Sequence, residues 1–124
     1  MFINLPNLND LIRQSRVRQD RDPYLITGYC TTGTRPDRNP KYKCYTPEHM
    51  FPRDVFPTYV GGPAYLMSRQ AAVILYETAL ETPFFHLEDV FITGIVREKF
   101  NNEDGARSVR YSALKDAEKI SLTE

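Results

Sequence analysis

The sequence predicts a chain that mixes strands with helices, and three stretches carry the prediction. Thr58 to Met67 joins β-branched and aromatic residues around a Gly-Gly-Pro interruption, which suits a strand broken in the middle. RQAAVILYETAL follows it at helical period, and a second helical pattern starts at Val90. Tyr24 to Thr31, YLITGYCT, is rich in β-formers and reads as a further strand.

Each element has its own start and stop signals. Asn4 or Asn7 can cap a first helix whose apolar stripe is Leu8, Leu11 and Ile12, with Pro6 tolerated near its start. Arg13, Arg16, Arg18 and Arg21 read as a solvated helix end rather than a nucleic-acid patch, because no aromatics interleave and Asp20 and Asp22 follow. Asp22-Pro23 marks a turn. Ser68 stands where an N-cap belongs, and Pro83 ends the helix it opens. In that helix Ala72, Leu75, Tyr76 and Ala79 fall on one face. In the next, Ile92, Ile95 and Val96 share a side. Asn102 to Gly105 reads as a turn, and Val109, Tyr111 and Leu114 as a short edge strand or helix.

Bulk properties narrow the function classes. At 124 residues there is one domain at most, and sixteen charges of each sign give no polyanion partner, so no nucleic acid is expected. No run approaches the roughly 18 apolar residues of a membrane span, and the start lacks a signal-peptide pattern. Cys30 and Cys44 are the only cysteines, without a CxxC or Cys/His cluster, so a structural zinc site is not expected. Isolated thiols are the default, and a Cys30–Cys44 disulfide stays open because sequence does not give their separation.

Two adjacent carboxylates, Glu88 and Asp89, stand at the head of the second helical pattern. A carboxylate in a first turn faces unpaired N–H groups and the positive dipole end, which favours its ionised form and lets it accept a proton. The same position also suits a plain structural cap. Gly61 and Gly62 admit close approach of backbone or ligand, or simply a bend. His86, beside an apolar run, reads as a buried or half-buried histidine rather than a metal ligand. Glu88 and Asp89 do not suit a hydrolase, since glycosidase carboxylates need a gap between them.

Read together, KCYTPEHMFP (Lys43 to Pro52), FPTYVGGPAYLMS (Phe56 to Ser68) and HLEDVFITGIV (His86 to Val96) resemble the β-1,3-galactosyltransferase family. That group of inverting glycosyltransferases includes the β-1,3-N-acetylglucosaminyltransferases and the Fringe enzymes. The family runs a Lys-Trp-Tyr segment, a Tyr-Pro and small-residue strand ending in Ser, then an acidic pair followed by Val. Order and spacing agree over about eighty residues, and MFINLPNLNDLIR resembles the run that follows the family's acidic metal motif. Cys44 stands in place of the family's Trp, and no histidine follows His86, so no metal ligand carries over to the tail.

The resemblance implies a partial GT-A-like α/β nucleotide-sugar transferase domain, with a mixed sheet flanked by helices and the first half missing. Residues 1–100 would be the C-terminal part of the catalytic domain and 101–124 a polar extension. The implied reaction moves galactose or an N-acetylhexosamine from a UDP-sugar to a glycan hydroxyl on protein or lipid, in β-1,3 linkage. Asp89 would be the catalytic base, with Glu88, Lys43, Gly61 and Gly62 binding substrate. Arg38 is a second cation that would meet a diphosphate or a sugar hydroxyl, or else lie in a solvated loop. Mn²⁺ would be held by a motif upstream of Met1. Asp20-Arg21-Asp22 has the letters of such a motif but sits in a polar turn. The expected location is the lumenal side of the Golgi membrane. The alternative is a truncated, non-catalytic acceptor-binding module without the metal and donor site.

Overall fold

The computed structural model describes residues 2–113 and 121–122. The chain runs β1 (Phe2–Ile3), α1 (Leu5–Arg21), β2 (Leu25–Thr31), β3 (Tyr59–Met67), α2 (Arg69–Leu80), a π-helix (Val90–Val96), α3 (Arg97–Glu103), β4 (Arg110–Ala113) and β5 (Ser121–Leu122). The π-helix and α3 are continuous. The fold is thus α/β, with a mixed sheet of order β3-β2-β4, antiparallel between β2 and β3 and parallel between β2 and β4. β1 and β5 form a separate antiparallel pair. The sheet crosses residue 100, since β4 lies beyond it; Leu114 lies outside the described residues.

The interruption in the second strand is a bulge. Thr27 lies opposite Leu66 and Tyr29 opposite Gly61, so Gly62 to Tyr65 face the single residue Gly28. A Cβ on Gly28 would fall 2.3 Å from Val60 Cγ1 and 3.0 Å from Tyr65 Cβ, so only glycine lets the strands close there. Gly62 takes φ +91°, a left-handed conformation that side chains rarely adopt.

Caps behave as their residue types require. Asn4 Oδ1 accepts from the Asn7 N–H, and Ser68 Oγ accepts from the Ala71 N–H. α2 ends at Leu80, before Pro83, with Glu81 as its C-cap. Its buried row is Ala71, Ile74 and Leu75 rather than the expected Ala72–Leu75–Tyr76–Ala79 face, and Tyr76 is 65% exposed. The helix carries two nearly equal apolar rows, and packing against the sheet, the π-helix and α3 selects one. In the second helical pattern, Val90, Phe91, Thr93, Gly94 and Val96 are buried, while Ile92 and Ile95 are only half-buried. A π-helix turns fewer degrees per residue than an α-helix, so the buried set departs from α-helical spacing.

The core joins Ile26 and Val60 of the sheet to Leu75, Val96 and Val109. The long connection 32–58 contributes Phe51 and Phe56, whose ring centroids lie 5.0 Å apart and each 5.8 Å from Phe85. Arg38 ties this connection together, donating to the carbonyls of Thr46, Phe51 and Arg53 at 2.9, 2.9 and 3.0 Å. It is neither a ligand-facing cation nor a loosely solvated one. Cys30 and Cys44 are both free thiols, so the pairing left open by the sequence does not form. His86 is exposed, not buried, because the chain tucks Phe85 inward and turns the next side chain out. α3 extends through Glu103, and the following turn is held by Asp104 Oδ2, which accepts from the Ala106 and Arg107 N–H groups.

Candidate functional site

Two contacts set the head of the π-helix. Thr93 is fully buried; its hydroxyl donates to the Asp89 carbonyl at 2.6 Å and accepts from the Val60 N–H at 2.8 Å. One side chain therefore fastens the first turn of the helix to β3 beside Gly61. Gly94 lets the backbones approach, since a Cβ there would sit 3.1 Å from Tyr59 Cβ and 3.3 Å from Pro57 Cγ. From the other side the Tyr111 hydroxyl reaches the carbonyls of Thr58, at 2.7 Å, and Thr93. Burial pushes the Tyr111 phenol up to about 12, against the nearby Arg97 guanidinium, so it remains a donor. Arg97 lies 3.7 Å from the Tyr111 ring centroid and donates to the Val109 carbonyl at 2.8 Å, docking β4 on α3.

This scaffold holds Asp89 half-buried at the sheet end where β2 finishes and β3 begins. Its Oδ1 accepts from the Val90 N–H at 2.8 Å. Its Oδ2 lies beside Gly61, where a Cβ would meet Tyr59 Cε2 at 3.0 Å, Thr31 Oγ1 at 3.4 Å and that oxygen at 3.6 Å. No ion pair involves Asp89 among the described residues. Glu88 is exposed next to it and accepts a hydrogen bond from the Tyr65 hydroxyl. Burial first, then the Glu88 hydrogen bond and the charges of Glu88 and Asp89, hold the Tyr65 phenol above its ordinary range.

Chemically, this is a carboxylate with one oxygen engaged by the Val90 N–H and the other beside Gly61, in a space that Tyr59 and Thr31 also border. Such a group can take a proton from a hydroxyl brought against that oxygen. Against models of protein families, residues 1–103 match the family described as Galactosyltransferase.

The chain belongs to the galactosyltransferase family.

Among individual relatives, β-1,3-galactosyltransferase 1 of Mus musculus is 33% identical over 93 residues, covering 74% of this chain and 27% of the relative. The Homo sapiens protein of that name aligns equally well. β-1,3-galactosyltransferase 5 of Homo sapiens is 30% identical over 101 residues, covering 82% of this chain and 31% of the relative. The chain thus spans between a quarter and a third of the length of these galactosyltransferases.

Of the residues singled out in the sequence, the fold brings Glu88, Asp89, Gly61 and Gly62 to one sheet end. Lys43 is exposed in a turn of the 32–58 connection, and no described contact links it to the acidic pair. Asp22 serves its turn, accepting from the Tyr24 N–H at 3.2 Å. No group of three or more His, Cys, Asp or Glu among the described residues could hold a metal ion. These residues therefore do not fit a Mn²⁺ centre. A cleft of about 430 Å³ lies at the opposite end of β2 and β3, lined by Tyr24, Arg69, Gln70, Val73, Ile74 and Arg107, away from the acidic pair. No helix of the described residues is long and apolar enough to cross a membrane.

Sequence reasoning missed Thr93, Tyr111 and Tyr65. Thr93 had no local signal, because its partners Val60 and Asp89 are set by packing. Tyr65 did have one: an aromatic two residues after Pro63 of the Gly-Gly-Pro break, where a bulge re-aims the side chains that follow.

Proposed function

We propose that the chain supplies the base-bearing part of an inverting hexosyltransferase. It moves galactose, or an N-acetylhexosamine, from a UDP-sugar to a hydroxyl of a glycan on protein or lipid, forming a β-1,3 linkage. The observation that carries this reading is Asp89 at the head of the π-helix, half-buried with Oδ2 beside Gly61, in a chain of the galactosyltransferase family. In this reading an acceptor hydroxyl comes up against that oxygen. Its oxygen forms a bond to the anomeric carbon while the bond from that carbon to the UDP oxygen breaks. The hydroxyl proton passes to Asp89, and the electron pair of the broken bond leaves with UDP. Configuration inverts and no covalent intermediate with the protein forms.

Glu88 binds neighbouring acceptor hydroxyls, and Gly61 and Gly62 make room for the sugar. Lys43 serves a donor diphosphate or sugar hydroxyl. A divalent cation, Mn²⁺, would neutralise charge on the leaving diphosphate, held by residues other than those described. Residues 1–100 act as catalytic-domain sequence and 101–124 as its extension. The lumenal Golgi is the proposed location.

The test is Asp89→Asn in the full-length protein that carries this segment, assayed for UDP release from UDP-galactose with Mn²⁺ and a β-linked sugar acceptor. Turnover should fall by about 10²–10⁴-fold with folding intact. Turnover equal to the parent's removes Asp89 from the chemistry. Acceptor binding with no turnover in the parent protein favours the non-catalytic binding module instead.

A further inference from the structure

A strand seldom spends four residues opposite one without a reason, and here the excursion ends on a tyrosine. Gly62 to Tyr65 bulge out against Gly28. Three features fix where Tyr65 stands. Gly62 turns the chain through a positive φ of +91°. Gly28 offers a surface that a Cβ would occupy, 3.0 Å from Tyr65 Cβ. The Tyr65 hydroxyl ends on Glu88 Oε1, one residue from Asp89. Glu88 itself is exposed and flexible by type, and this hydrogen bond ties it back to the sheet.

We propose that Tyr65 is a positioning residue for the acceptor sugar. It holds Glu88 by one carboxylate oxygen, so that the other takes a hydrogen bond from a hydroxyl neighbouring the one Asp89 deprotonates. This rests on the reading of Asp89 as the base. A carboxylate swinging on a free side chain must be ordered each time a sugar binds, at an entropic cost. One already held by Tyr65 meets the sugar in place. The ligand class is a pyranoside carrying a free hydroxyl on the carbon next to the attacking one. Tyr65 remains protonated through the working pH range, because burial and the two neighbouring carboxylates all resist its ionisation.

Tyr65→Phe keeps the ring and the bulge and removes only the donor. In the full-length protein, acceptor KM should rise by about tenfold, while the UDP-sugar KM and the melting temperature stay at parent values and kcat changes by less than about threefold. The effect should vanish in a Glu88→Ala background, where there is no carboxylate left to hold. An unchanged acceptor KM overturns the proposal. So does an effect that persists undiminished beside Glu88→Ala, or an equal rise in both KM values with a lowered melting temperature. Asp89→Asn measured alongside separates the two readings. If it loses turnover while Tyr65→Phe leaves acceptor KM alone, the tyrosine proposal falls by itself. If it turns over like the parent, the base reading falls and takes this one with it.

Discussion

Thr93→Val is the sharpest probe of how the site is built. The substitution keeps the side-chain volume at a fully buried position and removes a hydroxyl that bridges the Val60 N–H and the Asp89 carbonyl at 2.8 and 2.6 Å. Val60 is fully buried as well, so its N–H finds no water once the hydroxyl is gone. Leaving one buried donor without a partner costs about 1–3 kcal/mol. Removing the hydrogen bond to the Asp89 carbonyl as well brings the expected destabilisation to about 2–3 kcal/mol. Thr93→Ser is the control, because it keeps the bridge and removes one buried methyl, worth about 1 kcal/mol. Urea unfolding at constant slope reads both values from the shift in midpoint. Because the bridge seats Asp89 over Gly61, Thr93→Val should also lower turnover by about ten- to a hundredfold, the scale of an ångström-sized misplacement. The reasoning is refuted if the Val variant unfolds within about 0.5 kcal/mol of the parent, or if Ser proves as damaging as Val.

Three further outcomes follow from particular side chains. Gly61→Ala places a methyl 3.0 Å from Tyr59 Cε2 and 3.6 Å from Asp89 Oδ2. It should destabilise the fold by about 1–3 kcal/mol, because the Tyr59 ring must give way, and lower acceptor kcat/KM by about tenfold by crowding Asp89; parent-like kcat/KM would show that the acceptor does not reach this place. Arg38→Ala removes three bonds to carbonyls and should unmoor the 32–58 connection, speeding tryptic cleavage at Lys41 and Lys43 several-fold. Arg38→Lys should recover only part of that protection, because one ammonium cannot span the same carbonyls; an unaltered cleavage rate for Arg38→Ala would contradict the clamp. The native chain should show two titratable thiols, with exposed Cys44 reacting faster than half-buried Cys30. Burial pushes the Cys30 thiol up against the opposing Arg97 charge, so at pH 8 less of it is thiolate. Cys30→Ser should delete the slow phase, and finding no reactive thiol would mean that the two cysteines are paired after all.

Much of this protein was legible in its sequence because the signals were local. Ser68 announced α2, since a hydroxyl before an apolar helical run has an N–H to satisfy. The Gly-Gly-Pro break marked the bulge, because glycine and proline limit the backbone wherever they fall. Three stretches read together, Lys43 to Pro52, Phe56 to Ser68 and His86 to Val96, carried the family. What the pattern could not choose was made by distant partners. The face that α2 buries, the widening of the helix after Asp89 and the outward turn of His86 each depend on which surfaces meet. Arg38 read as one cation among several in a basic loop until the fold supplied the three carbonyls it spans.

By itself, then, the order of residues determined the two long strands, the presence of the helices, the Ser68 cap and the family. Those follow from propensities and spacings within a few residues of each position. Only the tertiary structure decided that Thr93 binds strand to helix across 33 residues of chain, that Tyr65 reaches Glu88, and that one oxygen of Asp89 comes to lie beside Gly61. Those depend on groups far apart in sequence meeting at short range, which close approach at Gly28 and Gly94 permits.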